Sequence, residues 1–217
     1  MQERNPQARS PCIRQRIIQA AIRLHRQIGF KKTTVADIAR GAAMSPANVY
    51  RFFASKRAIE EAVVADLFEQ VSAVATLAAL LSGSALERLT AALSAISRLH
   101  EHRLDNDSKL HELVAAAVRE NWAVALSYAG RIRGLARTII VGGQASGELR
   151  PGSPMAMTCC LLAAMDGYLN PSRINAATVR PTFDEMMDFC AGALHQAPWG
   201  QSTDLAADLR PQAVAQG

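Results

Sequence analysis

A small group of polar side chains near residue 50 has the chemistry needed to recognise nucleic acid. Asn48 and Arg51 can hydrogen-bond to the edges of bases, and Lys56 can pair with a phosphate. If this segment is helical, Val49 and Phe53 lie four residues apart and face inward, so that Asn48 and Arg51 point outward near the helix N-terminus. An outward face of this kind fits the major groove of DNA.

The rest of the sequence offers little catalytic or metal-binding chemistry. It contains no G-x-S-x-G, no phosphate-binding loop, no H-E-x-x-H and no glycine-rich turn between a strand and a helix. The one concentration of potential metal ligands matches no standard zinc spacing, and a solvated, charged helix junction is its default interpretation. We therefore expect no enzyme activity, no catalytic residue, no metal and no cofactor. The residues in that concentration are His100, His102, Asp105, Asp107, His111 and Glu112.

Two short helices joined by a tight turn are predicted to position the polar group. Thr34 is a suitable N-cap with Asp37 three residues later, which is a variant of the capping box. Ser45 is a suitable N-cap for the second helix, and Pro46 follows it at a position where a missing N–H costs nothing. Two short helices with these boundaries are typical of a helix-turn-helix.

From about Ile13 to Leu67 the chain resembles the DNA-binding domain of the tetracycline-repressor (TetR) family. Members of that family usually carry Gly in the turn before the recognition helix. Ala43 occupies this place here, and Gly41 lies two positions earlier, so the turn is expected to differ locally in conformation. The residues that carry the resemblance are Thr34, Ile38, Ala39, Ser45, Val49, Tyr50, Phe53, Ser55 and Lys56.

The predicted DNA-binding surface combines the outward face of the second short helix with groups that hold the DNA backbone. We expect Ala47, Asn48 and Arg51 to contact bases. Lys56 begins a long helix, where free backbone N–H groups and the helix dipole also favour a phosphate. The predicted set is Thr34, Ser45, Pro46, Ala47, Asn48, Tyr50, Arg51, Phe52 and Lys56.

Charge is distributed unevenly along the chain. Residues 1–60 contain 12 Lys and Arg against 3 Asp and Glu, whereas residues 61–217 contain 12 against 16. The basic N-terminal part favours a polyanion, and double-stranded DNA rather than a membrane, because no lipidation motif or basic amphipathic helix accompanies it. The four cysteines form no C-x-x-C pair, and there is neither a signal peptide nor an apolar run of about 20 residues. A reduced, cytoplasmic protein is predicted.

The hydrophobic pattern predicts an all-α protein of about nine helices in two domains. Residues 1–60 would form a three-helix DNA-binding domain of the helix-turn-helix type, beginning with a flexible basic arm over residues 1–11. Residues 61–195 would form a helical bundle for effector binding and dimerisation, and residues 196–217 a disordered tail. The longer helices are predicted over 12–28, 56–81, 85–103, 109–117, 118–145, 153–169 and 182–195.

The last two predicted helices have the composition of a subunit interface. Small side chains recur every four residues in helix 153–169, and helix 182–195 is apolar nearly all round. In the family that the chain resembles, the last two helices of each subunit form a four-helix dimer interface. The alternative is that both helices are core within a monomer. The predicted interface residues are Cys159, Ala163, Gly167, Phe183, Met186, Met187, Cys190 and Leu194.

The same resemblance implies a pocket for a small effector inside the C-terminal bundle. Its lining would come from helices 85–103, 118–145 and 153–169, and a mostly apolar lining would suit an apolar or aromatic compound. An ordinary core residue is the default interpretation of each candidate. The candidates are Leu99, Trp122, Leu126, Tyr128, Met157, Met165 and Tyr168.

These features together predict a homodimeric, sequence-specific DNA-binding transcriptional regulator that responds to a ligand. Repression of a palindromic operator, relieved by the effector, is the favoured form of control. Two alternatives stay open. One is a helical metal-binding protein or enzyme whose basic N-terminus is incidental, and the other is a nonspecific, architectural DNA binder.

Overall fold

The computed structural model describes residues 6–174 and 179–195, and it contains ten helices and no strand within those residues. The predicted all-α class is confirmed. The predicted tail over residues 196–217 lies outside the described residues. In chain order the helices are α1 (Pro6–Ile28), α2 (Val35–Gly41), α3 (Pro46–Tyr50), α4 (Lys56–Ala79), α5 (Ala85–Asn106), α6 (Ser108–Arg119), α7 (Ala123–Ala145), α8 (Pro154–Ala164), α9 (Asp166–Leu169) and α10 (Phe183–Leu194).

The short helices α2 and α3 begin where their capping residues predict. The Thr34 hydroxyl accepts a hydrogen bond from the Asp37 amide, and the Asp37 carboxylate accepts one from the Thr34 amide. The Ser45 hydroxyl accepts from the Asn48 amide, and Pro46 is the first residue of α3. Both caps satisfy backbone N–H groups that a helix start leaves without partners.

Helix α1 begins earlier than predicted. Residues 6–11, which were assigned to a flexible arm, belong to the helix, and residues 1–5 of that arm lie outside the described residues. Proline fits the first position of a helix, and Gln7, Ala8 and Arg9 after it are good helix formers. The prediction of an unstructured arm up to residue 11 was therefore too long.

Helix α4 is the central element of the fold. It contacts α1, α5, α6 and α7, and its side chains at Val63, Leu67, Phe68 and Val71 are buried among them. Its length and apolar composition would by themselves be enough to cross a membrane, but the core helix of a globular protein meets the same criteria. Because α4 begins shortly after α3 and continues through the bundle, both parts of the chain share its core.

The predicted helix 118–145 is interrupted near its start. Helix α6 ends at Arg119, Asn121 adopts a left-handed φ of 53°, and α7 begins only at Ala123. The Trp122 amide donates to the Ala117 carbonyl (2.9 Å) and the Asn121 amide to the Val118 carbonyl (3.2 Å), which closes α6. Asn tolerates this conformation better than most residues, so the break is built into the sequence.

The C-terminal helices follow the prediction more closely. The predicted helix 153–169 is divided at Met165 into α8 and α9, and Ser153 caps its start by accepting from the Ala156 amide. Helix α10 opens with the predicted capping box between Thr182 and Glu185. Helices α8 and α10 pack against each other and form one side of the bundle.

Candidate nucleic-acid interface and ligand cavity

Helix α3 is fixed by its inward face and presents its other face to solvent. Val49 in the helix and Phe53, three residues after the helix ends at Tyr50, are 0% and 3% exposed and anchor this segment in the core. We call the outward face, with Thr34 and Lys56 beside it, the recognition surface. Its predicted members are exposed at Thr34, Ser45, Pro46, Ala47, Tyr50 and Arg51 and half-buried at Asn48, Phe52 and Lys56.

The turn before α3 places a non-glycine residue in a left-handed conformation. Ala43 has a φ of 54°, and its amide donates to the Arg40 carbonyl at 3.1 Å. The next amide, that of Met44, reaches back to the Ala39 carbonyl at 3.0 Å, which completes a Schellman cap on α2. Gly41 has an ordinary helical place next to α1 instead. The turn is thus closed without glycine, at the cost of strain at Ala43.

Helix α1 braces the end of the recognition helix. The Arg14 guanidinium donates to the Phe52 carbonyl at 2.5 Å and lies 4.2 Å from the centroid of the Phe53 ring. Arg23 donates to the Gly41 carbonyl at 3.3 Å. Arg14 and Arg23 of α1 thus hold the segments around Phe52 and Gly41 in place. Fewer basic side chains of α1 are then free to contact phosphates than its charge suggests.

Lys56 lies at the start of α4 and is already paired inside the protein. Its Nζ atom is 3.5 Å from Oε1 of Glu60, one helical turn along. Burial raises the pKa of Glu60 above its usual range, and the Lys56 charge opposes that rise. Lys56 is therefore held in place next to the α4 N-terminus, where a phosphate would also meet unpaired backbone N–H groups.

A cavity of about 520 Å³ opens between α5, α7, α8 and α9, and we call it the α7–α8 cavity. Its walls are mostly apolar, whereas Arg133, Asp166, Asn170 and Arg173 supply polar groups at its edge. Asp166 and Arg173 form an ion pair of 2.7 Å. The apolar and small lining residues are Ile96, Val118, Ala125, Tyr128, Ala129, Ile132, Cys159, Leu162, Ala163, Leu169 and Pro171.

Of the seven predicted pocket residues, the structure places only Tyr128 on the wall of this cavity. Leu126 is 58% exposed because it follows the inward-facing Ala125 by one residue, or about 100° around α7. Met165 and Tyr168 are buried in the core, where the Tyr168 hydroxyl donates to the Pro181 carbonyl. The remaining three, which also do not line the cavity, are Leu99, Trp122 and Met157.

Several residues that line the cavity were absent from the predicted set, although a signal for some was available. Ala125, Ala129 and Ile132 lie on the apolar stripe of α7 that the hydrophobic spacing identifies. Their small or aliphatic side chains gave no reason to prefer them over Trp122 as ligand contacts. Arg133 and Arg173 carried no local signal, because their position depends on how α7 and the segment after α9 pack.

A buried aromatic and polar cluster connects the cavity wall to α4. The Tyr128 ring stacks on Phe68 of α4 with a centroid distance of 4.1 Å and an interplanar angle of 6°. The Tyr128 hydroxyl and Nε2 of His100 are 3.2 Å apart, and Arg103 lies 3.4 Å from the other ring nitrogen. Burial lowers the pKa of His100 to about 3 and raises that of Tyr128, so both are neutral. Displacement of Tyr128 would therefore change its packing against Phe68 of α4.

A second contact joins the beginning of α4 to the beginning of α7. The Arg57 guanidinium lies over the Trp122 ring at 3.3 Å from its centroid and 3.4 Å from Oε2 of Glu120. The Trp122 indole donates to the same carboxylate at 2.8 Å, and this hydrogen bond is the main cause of the lowered pKa of Glu120. Trp122 was predicted to line the ligand pocket, but it lies instead at this α4–α7 contact. Its partner Arg57 directly follows Lys56 in α4.

The surface formed by α8 and α10 contains some of the predicted interface residues and not others. Phe189 on α10 is 74% exposed, whereas the exposed Cys159 and Ala163 of α8 lie on the side that lines the α7–α8 cavity. Half-buried positions are Gly167, Phe183 and Met186. Three predicted interface residues are instead buried within the subunit, because α10 turns them toward α5 and α8, and they are Met187, Cys190 and Leu194.

The potential metal ligands around residue 105 do not converge. His100 is buried with Tyr128, whereas His102 is exposed and close to Asn106. Asp107 pairs with Arg26 at 3.0 Å. Within residues 6–174 and 179–195, no group of three or more His, Cys, Asp or Glu side chains is arranged to hold a metal ion.

Comparison with known proteins places this geometry in a family. A sequence model of bacterial regulatory proteins of the tetR family matches residues 17–63, and one of the tetracyclin repressor-like C-terminal domain matches residues 85–188. No curated protein sequence matches the chain.

Solved structures give the same fold at low sequence identity. A transcriptional regulator of the TetR/AcrR family from Thermobifida fusca YX-ER1 has a TM-score of 0.61 at 24% identity, covering 82% of this chain and 94% of that one. A TetR family regulator from Marinobacter aquaeolei VT8 has a TM-score of 0.57 at 19% identity, with coverage of 87% and 98%. The complex of RolR with resorcinol has a TM-score of 0.59 at 17% identity, with coverage of 86% and 87%. The chain belongs to the tetR family of bacterial transcriptional regulators.

Proposed function

We propose that this protein is a ligand-responsive, sequence-specific regulator, and that it represses a palindromic operator until a small effector releases it. The observation that carries the proposal is that one helix, α4, connects the recognition surface with the wall of the α7–α8 cavity. Its first residues lie beside the recognition surface, and its Phe68 stacks on Tyr128 of the α7–α8 cavity. An effector that moves Tyr128 would therefore also move the support of the DNA-reading helices.

The effector proposed for this cavity is a small apolar or aromatic compound. Ile96, Ile132 and Leu162 provide apolar walls, and Arg133 and the Asp166–Arg173 pair provide polar contacts at the edge. A cavity of about 520 Å³ is within the usual size range for small-molecule sites. Because RolR, which has a similar fold, was solved with resorcinol, small phenols are sensible first compounds to test.

We further propose that the active form is a cytoplasmic homodimer. A twofold operator needs two recognition surfaces at a fixed spacing, and a twofold protein supplies them through an interface of identical patches. The exposed apolar side chains of α8 and α10, among them Phe189 and Met155, support this surface as the interface. No membrane partner is part of the proposal.

Footprinting on the DNA that flanks the protein's own gene tests the function directly. We expect protection of two half-sites separated by about one helical turn of DNA, or a multiple of it, and loss of protection when an effector is added. Uniform coverage without a defined boundary would instead indicate an architectural DNA binder. Absence of any protection at low salt would contradict the proposal and favour a function unrelated to DNA.

A further inference from the structure

Arg103 of α5 is a buried cation without a carboxylate partner. The residue is only 7% exposed, and no Asp or Glu oxygen lies within 4 Å of its guanidinium in the described part of the chain. Its side chain makes a long hydrogen bond of 3.4 Å to Nδ1 of His100. A buried charge is costly unless an opposite charge or good hydrogen bonds compensate it. Arg103 would therefore be stabilised by a carboxylate that moved next to it.

Asp107, at the end of α5, has such a carboxylate. It follows Arg103 by one helical turn, and its amide donates to the Arg103 carbonyl at 2.9 Å. Burial lowers the pKa of Arg103, and the negative charge of Asp107 opposes that shift. The Asp107 carboxylate makes no capping hydrogen bond to α6 and pairs with Arg26 of α1, at 3.0 Å between Oδ2 and Nη2. One carboxylate thus lies near two cations, Arg26 in the DNA-binding domain and Arg103 in the bundle.

Neither of the two ion pairs that Asp107 could form has a large energetic advantage. The Arg26 side chain is 50% exposed and that of Asp107 26%, and ion pairs with this exposure contribute little to stability. A pair with Arg103 would neutralise a buried charge, but the carboxylate would have to give up contacts with water to reach it. Two arrangements of similar free energy can be exchanged by a ligand that favours one of them.

A chain of hydrogen bonds with a fixed direction connects Arg103 to the α7–α8 cavity. Because arginine can only donate, Nδ1 of His100 is the acceptor of this contact. Burial lowers the pKa of His100 to about 3, so the ring is neutral, its proton is on Nε2, and Nε2 donates to the Tyr128 hydroxyl at 3.2 Å. Tyr128 also lines the cavity. If Tyr128 moves away, the buried Nε2–H group loses its acceptor, and the position of the His100 ring beside Arg103 is no longer fixed.

We propose that Asp107 is a positioning residue that switches between two partners and so connects the α7–α8 cavity to α1. Its carboxylate pairs with Arg26 in the DNA-binding state, and it pairs with Arg103 when an effector displaces Tyr128 and frees the His100 ring. The inference rests on the proposed function, in which the α7–α8 cavity binds the effector. It adds a polar connection to the packing of Tyr128 on α4.

Loss of the ion pair between Arg26 and Asp107 would loosen the end of α1 close to the recognition surface. His25, the residue before Arg26, is buried, and its Nδ1 atom lies 3.2 Å from the Thr33 hydroxyl. Thr33 directly precedes Thr34, which is the N-cap of α2. The end of α1 therefore helps to position α2, and release of Arg26 would reach the helix-turn-helix without passing through α4.

NMR of the arginine side-chain nitrogens tests the switch without DNA or effector. Tyr128→Phe keeps the stacked ring but removes the acceptor of His100, so it imitates displacement of the hydroxyl. We expect the Arg26 resonance to shift to the position that it has in Asp107→Asn, and the Arg103 resonance to shift as well. Arg26→Gln and Arg103→Lys assign the two signals. The proposal is wrong if the Arg26 resonance moves in Asp107→Asn and stays in place in Tyr128→Phe, or if neither variant moves it.

Operator affinity, measured by gel shift on the footprinted DNA, tests whether the switch acts on DNA binding. Tyr128→Phe and Arg26→Gln should each weaken binding about tenfold. The double variant should be no weaker than either single variant, because both changes remove the same contact. Arg16→Gln is the matched control, since it removes a charge from an exposed position of α1, and its effect should add to that of Tyr128→Phe.

Changes at Arg103 distinguish the switch from a purely structural effect of Tyr128. In Arg103→Met the second cation is absent, so Asp107 stays with Arg26, and adding Tyr128→Phe should no longer weaken operator binding. Arg103→Lys keeps a cation, and Tyr128→Phe should still weaken binding in that background. Equal weakening in both backgrounds, or full additivity of Tyr128→Phe with Arg26→Gln, would overturn the proposal. A protein that shows the NMR shifts but protects no operator would support the switch and contradict the proposed function.

Discussion

At the scale of single residues, Asn48 and Lys56 are predicted to contact different parts of DNA. Loss of a base contact in Asn48→Ala should cost about 1–3 kcal/mol on the cognate operator and little on unrelated DNA. Loss of a phosphate contact in Lys56→Ala should weaken binding to all sequences and reduce the salt slope by about one. Gel-shift titrations on operator and scrambled DNA at several salt concentrations measure both effects.

The ion pair between Lys56 and Glu60 provides a control for this experiment. Glu60→Gln keeps the lysine but removes its internal partner, so affinity for all DNA should stay the same or increase. Unchanged operator affinity in both Asn48→Ala and Lys56→Ala would mean that the recognition surface has been assigned to the wrong face of α3.

Ala43 is predicted to be a site where glycine stabilises the protein. Its φ of 54° costs a residue with a Cβ atom about 1–2 kcal/mol, and glycine avoids that cost at some loss of unfolded-state entropy. Ala43→Gly should therefore raise the free energy of unfolding by about 0.5–1 kcal/mol, measured by urea denaturation. Ala42→Gly, one residue earlier at φ −95°, should lower it. A lower midpoint for Ala43→Gly would show that the turn is not strained.

At the scale of elements, the stacking of Arg57 on Trp122 is predicted to couple α7 to the start of α4. Trp122→Phe keeps a ring beneath the guanidinium, whereas Trp122→Leu removes it. We expect Trp122→Leu to reduce the effector-induced change in operator affinity by about 0.5–2 kcal/mol, and Trp122→Phe to retain most of it. Gel shifts with and without effector give the coupling free energy, and equal coupling in both variants would exclude this contact as a route.

The helix boundaries show which elements can be predicted from sequence. The starts at Thr34, Ser45 and Thr182 were predictable because the capping side chain and the amide it serves are only three residues apart. The break between α6 and α7 was missed because the apolar spacing continues through Val118 and Trp122. Only Asn121, which tolerates a left-handed backbone, marks it.

The candidate site was less predictable than the helices, for a physical reason. Whether Ala125 or Leu126 faces the α7–α8 cavity depends on the rotation of α7 against α5 and α8, which local spacing leaves uncertain by about one residue. For the same reason Met187 and Cys190 were assigned to the interface and not to the core. Phe189, the most exposed apolar side chain of α10, lies between them in sequence.

At the scale of the whole molecule, Phe189 is predicted to hold two subunits together. It is 74% exposed on α10, so Phe189→Glu should separate the subunits without unfolding them, and operator binding should be lost with dimerisation. Sedimentation and gel shift measure the two outcomes. Met187→Ala is the contrasting variant. Loss of this buried side chain should lower the free energy of unfolding by about 2–5 kcal/mol and leave the protein dimeric. A monomeric wild type at micromolar concentration would contradict the prediction.

Global stability is predicted to decrease in mild acid because buried histidines, among them His25 and His100, are neutral in the folded protein. Burial lowers the pKa of His25 to about 4 and that of His100 to about 3, from the usual 6.5. Below pH 6.5 the unfolded chain binds protons that the folded chain does not. The free energy of unfolding should thus fall by up to about 1.4 kcal/mol per pH unit for each histidine. Urea denaturation between pH 7.5 and 4.5 measures the slope.

Two variants assign that slope to particular side chains. His25→Gln should remove one of the side chains that take up a proton on unfolding, so the free energy of unfolding should depend less on pH. His102→Gln, at an exposed position, should leave it unchanged. An equal slope in the wild type and His25→Gln would mean that His25 is charged in the folded protein.

Because α4 is long, a small rotation at one point of the helix becomes a large displacement at its end. From Lys56 to Phe68 the helix extends about 18 Å, so a tilt of only about 6° around Phe68 displaces Lys56 by about 2 Å. In a twofold pair the displacements add to about 4 Å, against a half-site spacing of about 34 Å that the DNA holds nearly fixed. A rigid tilt of α4 is therefore enough to change the spacing of the two recognition surfaces, and release from DNA would not require any helix to unfold.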